Sequence, residues 1–230
     1  MFSLDIEPEG HLVIEAVVNG PIQTNTYYAI SRGEAVIVDP AWDGEALAQD
    51  FAAKHPDVRV AAIVCTHCHA DHVGGVAGLR RALGDSVPYL ISRADADGVD
   101  RALEHMRTSW GYETEDPGSP DRLLDEGDEI AFGDVRLQVV STPGHTLGGV
   151  TLFCSSVEGP VAFVGDTLFP GSHGRTDLYG GDEGEIMASL AKLGRLLPPE
   201  TLCLIGHGPE TRISAELAGN PFMIEALRAH

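Results

Sequence analysis

The chain has 230 residues, 43% of them hydrophobic, enough to bury a core of ordinary size, and sandwich folds of this length often form one domain. Its 35 acidic against 15 basic residues give a formal charge of −20, which repels phosphate backbones and anionic bilayers and argues against nucleic-acid and membrane partners. No apolar run reaches transmembrane length and the segment from Met1 to Pro8 lacks the basic and apolar regions of a signal, so a soluble cytoplasmic protein is expected, a single domain over residues 1–230.

In chain order, residues 12–18, 27–30 and 35–38 read as neighbouring strands, punctuated by the turn signals Gly20-Pro21 and Arg32-Gly33. An amphipathic helix over Gly44–Lys54, a strand over 60–64 and a helix over 73–83 follow. Residues 92–125 read as a long irregular connection. The second half repeats the scheme: strands at 135–140, 150–154, 161–164 and Leu202–Ile205 surround a helix at Glu183–Leu196, and a last helix runs near 223–229.

The strand at 60–64 runs into Thr66-His67-Cys68-His69-Ala70-Asp71-His72, which packs four metal-ligand side chains into six residues. Extended backbone alternates its side chains, so His67 and His69 face one way and can share a cation, while Cys68 faces the other. A turn into helix at Asp71 and His72 would present two more ligands to a second cation close by, so the pattern reads as two metals. Three later strands end in a candidate ligand beside glycine: His145 after Gly144, Asp166 after Gly165 and His207 between Gly206 and Gly208. The four cysteines, Cys65, Cys68, Cys154 and Cys203, lie in apolar strand runs or between ligands and read as reduced thiols.

His67-x-His69-x-Asp71-His72 followed by His145, Asp166 and His207 resembles the metallo-β-lactamase superfamily, with the His and Asp ligand set of glyoxalase II-like hydrolases. Residues 165–178, Gly206-His207-Gly208-Pro209 and Asn220-Pro221-Phe222 resemble its short, single-domain branch. The resemblance implies an α/β fold, a four-layer αββα sandwich with the metals at one edge. It also implies two divalent metal ions, zinc first and iron or manganese as alternatives: His67, His69 and His145 on one, Asp71, His72 and His207 on the other, Asp166 bridging both. Such a pair, about 3.5–4 Å apart, would share a hydroxide nucleophile. The implied activity is hydrolysis of a small-molecule thioester or ester, foremost S-D-lactoylglutathione-type hydroxyacyl thioesters, with Asp71 and Asp166 as catalytic residues. The alternatives are a mononuclear iron persulfide dioxygenase, which Gly174-Arg175-Thr176-Asp177 also resembles, and a lactonase. Class B1 and B2 β-lactamases place Cys where this chain has Asp166. With 23 residues after His207, no counterpart of the helical glutathione-binding domain of long-form glyoxalase II is expected.

Other residues carry weaker signals. Trp110 and Tyr112 suggest either a substrate lid or simple packing of the connection onto the sheet. Arg175 and Asp177 suit mutual bracing more than substrate binding. His173, in a Gly-rich loop, is a candidate for lining the pocket, whereas His11, His55, His105 and His230 lie in surface-like contexts. Asp39 matches an acidic position behind the metals in the superfamily and is expected to orient a ligand.

Overall fold

A computed structural model describes residues 3–84 and 86–230. Among the described residues there are fourteen strands and eight α-helices, and twelve of the strands form two six-stranded sheets, each with helices on its outer face. The first sheet holds, in sequence and in space, β1 (Val13–Asn19), β2 (Thr24–Ser31), β3 (Glu34–Val38), β4 (Arg59–Val64), β5 (Tyr89–Ser92) and β6 (Arg122–Leu124). The second contains β7 (Glu129–Phe132), β8 (Val135–Ser141), β9 (Val150–Ser156), β10 (Gly159–Gly165), β13 (Leu202–Ile205) and β14 (Thr211–Arg212), in the order β14-β13-β10-β9-β8-β7. β11 (Leu168–Phe169) and β12 (Ser172–His173) form a separate two-stranded ribbon. The helices are α1 (Gly44–Lys54), α2 (Ala70–Val73), α3 (Val76–Leu83), α4 (Arg93–Ala96), α5 (Val99–His105), α6 (Glu183–Leu196), α7 (Ile213–Gly219) and α8 (Pro221–Ala229).

The period-two alternation of the strands builds the layers. On β3, Val36 and Val38 enter the core shared with Leu137, Val139 and Leu152 of the second sheet, while Ala35 and Ile37 join Leu47, Phe51 and Leu79 beneath α1 and α3. On β10, Phe163 faces the central core, whereas Ala162 and Val164 pack under α6 and α8 with Leu190, Leu193 and Met223. Strands buried on both faces therefore read as nearly continuous apolar runs. The result is the expected four-layer αββα sandwich.

Four local departures from the sequence reading have clear causes. The helix expected over 73–83 is two helices, because Gly74-Gly75 lies at the junction and the backbone crosses close to Pro40 and Ala41, where a Cβ would clash. The connection at 92–125 is not irregular throughout: Ser92 caps α4 by accepting from Asp95 N, α5 follows, a π-helical turn spans Met106–Trp110, and β6 closes the first sheet. Strands β5 and β7 are too short, at four residues each, to stand out as periodic runs. The last helix starts earlier than expected, with Asn220 accepting from Phe222 N and Met223 N and Pro221 in the first turn, a combination worth about 1 kcal/mol over an uncapped start.

Candidate metal centre

β3 runs parallel to β4 and β10 parallel to β13, and the C-terminal ends of these strands deliver polar side chains to one edge. β4 leads through Thr66 to His67 and His69; α2 then presents Asp71 and His72 from its first turns. The loop after β8 brings His145, β10 ends one residue before Asp166, and β13 ends two before His207. Gly165 takes φ +50°, which lets β10 turn at once into Asp166 against Thr66. Asn25 donates to the carbonyls of Ile205 and Gly208, both at 2.9 Å, and so pins the His207 loop to β2.

All seven sequence-predicted side chains meet. Their ligand-capable atoms fall into three overlapping groups, each within 4.8 Å: His67, His69 and His145; His67, His72 and Asp166; Asp71, His72 and His207. Asp166 lies between the outer two, with Oδ2 3.6 Å from His145 Nε2 and 3.4 Å from His207 Nε2, and Oδ1 3.6 Å from His72 Nε2. Asp71 Oδ2 is 3.2 Å from His207 Nε2 and accepts from Thr24 Oγ1 at 3.0 Å.

The hydrogen bonds fix which nitrogen of three rings faces the cluster. His145 Nδ1 donates to the Arg175 carbonyl at 2.8 Å, leaving Nε2 with a lone pair. Thr66 gives its hydroxyl proton to Asp39 Oδ2 at 2.8 Å, so His67 Nδ1 must donate to Thr66 Oγ1 at 3.0 Å. His72 Nδ1 donates to Asp39 Oδ2, also at 3.0 Å. In turn, the Nε2 atoms of His67, His72 and His145 and Oδ1 of Asp166 are buried with no hydrogen-bond partner. Four orphaned lone-pair atoms converging on one place suit divalent cations, since uncompensated burial of such groups is costly.

The electrostatics agree. Burial first, then neighbouring imidazoles, holds His67 well below the usual histidine range and brings His69 down to about 3, so both are neutral donors. Burial opposes ionisation of Asp71 and Asp166, but His72 and then His207 outweigh it and both carboxyls stay below their ordinary values. Burial likewise opposes charge on His72 and His207, yet the Asp71, Asp39 and Asp166 carboxylates raise His72 well above normal, and Asp166 and Asp71 raise His207 to about 9. The carboxylates thus draw positive charge into the site, protons or cations in competition.

Beside the cluster opens a cleft of about 700 Å³ whose walls include Ile22, Met106, Trp110, Leu178 and Tyr179. Trp110 belongs to the wall, whereas Tyr112 packs edge-on against Trp42 at 6.1 Å. Arg175 is held by Asp177 at 2.7 and 2.8 Å. His173 does not line the cleft: its Nδ1 donates to the Gly174 carbonyl and its ring packs on Phe222 at 4.5 Å. Cys68 is no part of the ligand groups: its side chain is buried beside Gly98 at the start of α5, and burial pushes its thiol up. All four cysteines are free and buried.

Asp95 escapes a sequence reading. It is buried in α4, with Oδ2 accepting from Cys68 N at 2.9 Å and Thr146 Oγ1 at 2.7 Å and Oδ1 from Gly148 N at 2.6 Å. It therefore ties the His67–His69 segment to the His145 loop. Its one visible signal, Ser92-x-x-Asp95, has the form of a helix cap and hides the tertiary role.

The two helix-flanked sheets and a convergent His and Asp cluster at their edge define a metallohydrolase scaffold. The chain belongs to the metallo-beta-lactamase superfamily, which residues 19–207 match. It is 34% identical to YqgX, a probable metallo-hydrolase of Bacillus subtilis, over 89% of this chain and 94% of that one. It is 31% identical to the hydroxyacylglutathione hydrolase GloC of Haemophilus influenzae, over 82% and 87%. Among solved structures, BLEG-1, a B3 metallo-beta-lactamase, is similar at 36% identity and a TM-score of 0.82, covering 92% of this chain and 99% of that one. TTHA1623 in a di-iron-bound form shares 39% identity at a TM-score of 0.79, covering 90% and 99%. No described helix is long and apolar enough to cross a membrane.

Proposed function

We propose that the protein is a binuclear metal-dependent thioesterase acting on hydroxyacyl thioesters of the S-D-lactoylglutathione type. The observation that carries this reading is the placement of Asp166, one carboxylate in reach of His145, His72 and His207, between two groups of three ligand side chains. His67, His69 and His145 would hold one cation, Asp71, His72 and His207 the other. The Asp166 charge offsets the repulsion between them. Similarity to a hydroxyacylglutathione hydrolase supports the substrate class, and similarity to a di-iron protein supports iron beside zinc or manganese as the metal.

When bound, such a pair lowers the pKa of water from near 16 toward neutrality and polarises a carbonyl. The chain's own part is positioning. Asp39, directly and through Thr66, keeps Nε2 of His72 and of His67 turned into the site. Asp95 keeps the His69 and His145 segments in register. The apolar cleft walls hold the substrate and thin the water around the scissile carbonyl, which strengthens each charge interaction there. A thiol, with a pKa near 8.5, leaves as thiolate without a dedicated proton donor.

Metal content and anaerobic hydrolysis of S-D-lactoylglutathione on the same preparation test this. The expected result is two metals per chain and oxygen-independent release of free thiol. One iron per chain with oxygen uptake on glutathione persulfide would replace the hydrolase by a dioxygenase. Because of the similarity to a B3 metallo-beta-lactamase, a β-lactam is the comparison substrate, and faster turnover of it than of the thioester would also overturn the reading.

A further inference from the structure

We infer that Arg101, stacked on Tyr179 in the cleft, is a recognition site for a carboxylate carried by the substrate away from its scissile bond. The inference rests on the hydrolase reading of the adjoining cluster. Two guanidinium groups line the cleft. Arg175 is occupied by Asp177. Arg101 has no carboxylate or carbonyl partner among the described residues; its one contact is the Tyr179 ring, with the guanidinium carbon 4.4 Å from the ring centroid. In a chain with 35 acids and 15 Lys and Arg, most cations pair with a carboxylate, whereas Arg101, exposed on the cleft wall, is left open to an outside anion.

The geometry suits an anion. Stacking on an aromatic face restrains the guanidinium yet leaves the N–H groups in its plane free, and that planar fork matches a carboxylate. Of the acids on the same wall, Glu104 is engaged by Arg107 at 2.7 to 3.1 Å, which leaves Asp100 as the competing charge. The helix carrying Arg101 is also fixed relative to the ligand cluster. α5 begins after Gly98, where a Cβ would lie 2.9 Å from Cys68 Sγ, and Asp95, three residues before Gly98, binds Cys68 N and Thr146. A ligand spanning the cleft can therefore touch the cluster with its reacting end and Arg101 with a remote carboxylate. At a net charge of −20, that contact is what admits an anionic substrate against the general field.

The test compares paired probes on wild type and Arg101→Met, which keeps the stem over Tyr179 and removes the charge. S-D-lactoylglutathione and its dimethyl ester place or mask the carboxylates on the thiol side; the glutaryl and glutaramoyl thioesters of N-acetylcysteamine do so on the acyl side. Wild type should favour the free acid of at least one pair by about tenfold to a hundredfold in KM, the worth of one charge-assisted hydrogen-bonded contact, and Arg101→Met should bring that ratio close to one. Which pair shows the preference tells which side carries the carboxylate. Calorimetric titration with S-methylglutathione and with glutarate needs no turnover: at least one should bind wild type tenfold tighter than Arg101→Met, with the melting temperatures of the two proteins within a few degrees. Equal binding of both probes, or a ratio that survives the substitution, overturns the inference. Loss of turnover in wild type with this binding difference intact would overturn the thioesterase reading alone.

Discussion

Asp39 Oδ2 accepts from His72 Nδ1 at 3.0 Å, and both side chains are buried. The same oxygen accepts from Thr66, which holds His67, so one carboxylate orients an imidazole from each of the two outer ligand groups. Asp39 can do so because it directly follows β3 in a left-handed conformation, φ +50°, that turns its side chain back beneath the cluster while Oδ1 accepts from Thr66 N at 2.7 Å. Asp39→Asn should keep the shape but replace an acceptor with a donor. Metal affinity should fall tenfold to a hundredfold, as for other losses of a ligand-orienting carboxylate, when measured by competition with a chelating dye. Unchanged affinity would show that His72 is held by packing alone.

Asp71 and Asp166 should behave differently when removed. Asp71 reaches only the group containing His72 and His207, so Asp71→Ala should retain about one metal per chain and lose most thioester hydrolysis. Asp166→Asn removes the charge shared between the groups, so occupancy should drop below two and turnover by orders of magnitude. Metal analysis after gel filtration, run beside the activity assay, checks both; two full equivalents in Asp71→Ala would refute the division into two sites.

Gly206 is predicted to tolerate no side chain. A Cβ there would fall on Asp166 Oδ1 and lie 2.8 Å from His72 Cε1. Gly206→Ala should therefore push Asp166 out of the cluster and mimic Asp166→Asn in metal content. Gly208, where a Cβ would meet nothing within 4 Å, supplies the contrast, although its φ of +87° makes Gly208→Ala cost about 1 kcal/mol of backbone strain. Equal metal loss in the two variants would mean that strain, not the clash, is responsible.

Asp95→Ala should loosen the first ligand group before the second, because the donors it leaves unpaired belong to Cys68, Thr146 and Gly148. Each buried orphan donor costs about 1–3 kcal/mol, so the melting temperature should fall by several degrees. A structural loss alone would lower stability and spare the metals. The positioning role adds a weaker first metal, read as a one-equivalent shift in a two-step zinc titration.

The sequence by itself marked the seven candidate ligands that the fold brings together, and the layers. His67, His69, Asp71 and His72 are adjacent in the chain, and His145, Asp166 and His207 each follow an apolar strand beside glycine, so local chemistry and period-two alternation were enough to mark them. Only the tertiary structure decided what surrounds them. Asp95 looks like a helix cap, Arg101 like any exposed arginine on α5, and Gly74-Gly75 like an ordinary flexible pair, because the contacts that give them meaning join segments far apart in sequence. Asp95 meets Thr146 across 51 positions and Arg101 meets Tyr179 across the cleft. The physical reason is range: hydrophobic periodicity and ligand spacing are short-range patterns written along the chain, whereas buried hydrogen bonds and charge pairing depend on which loops the packed sheets bring together.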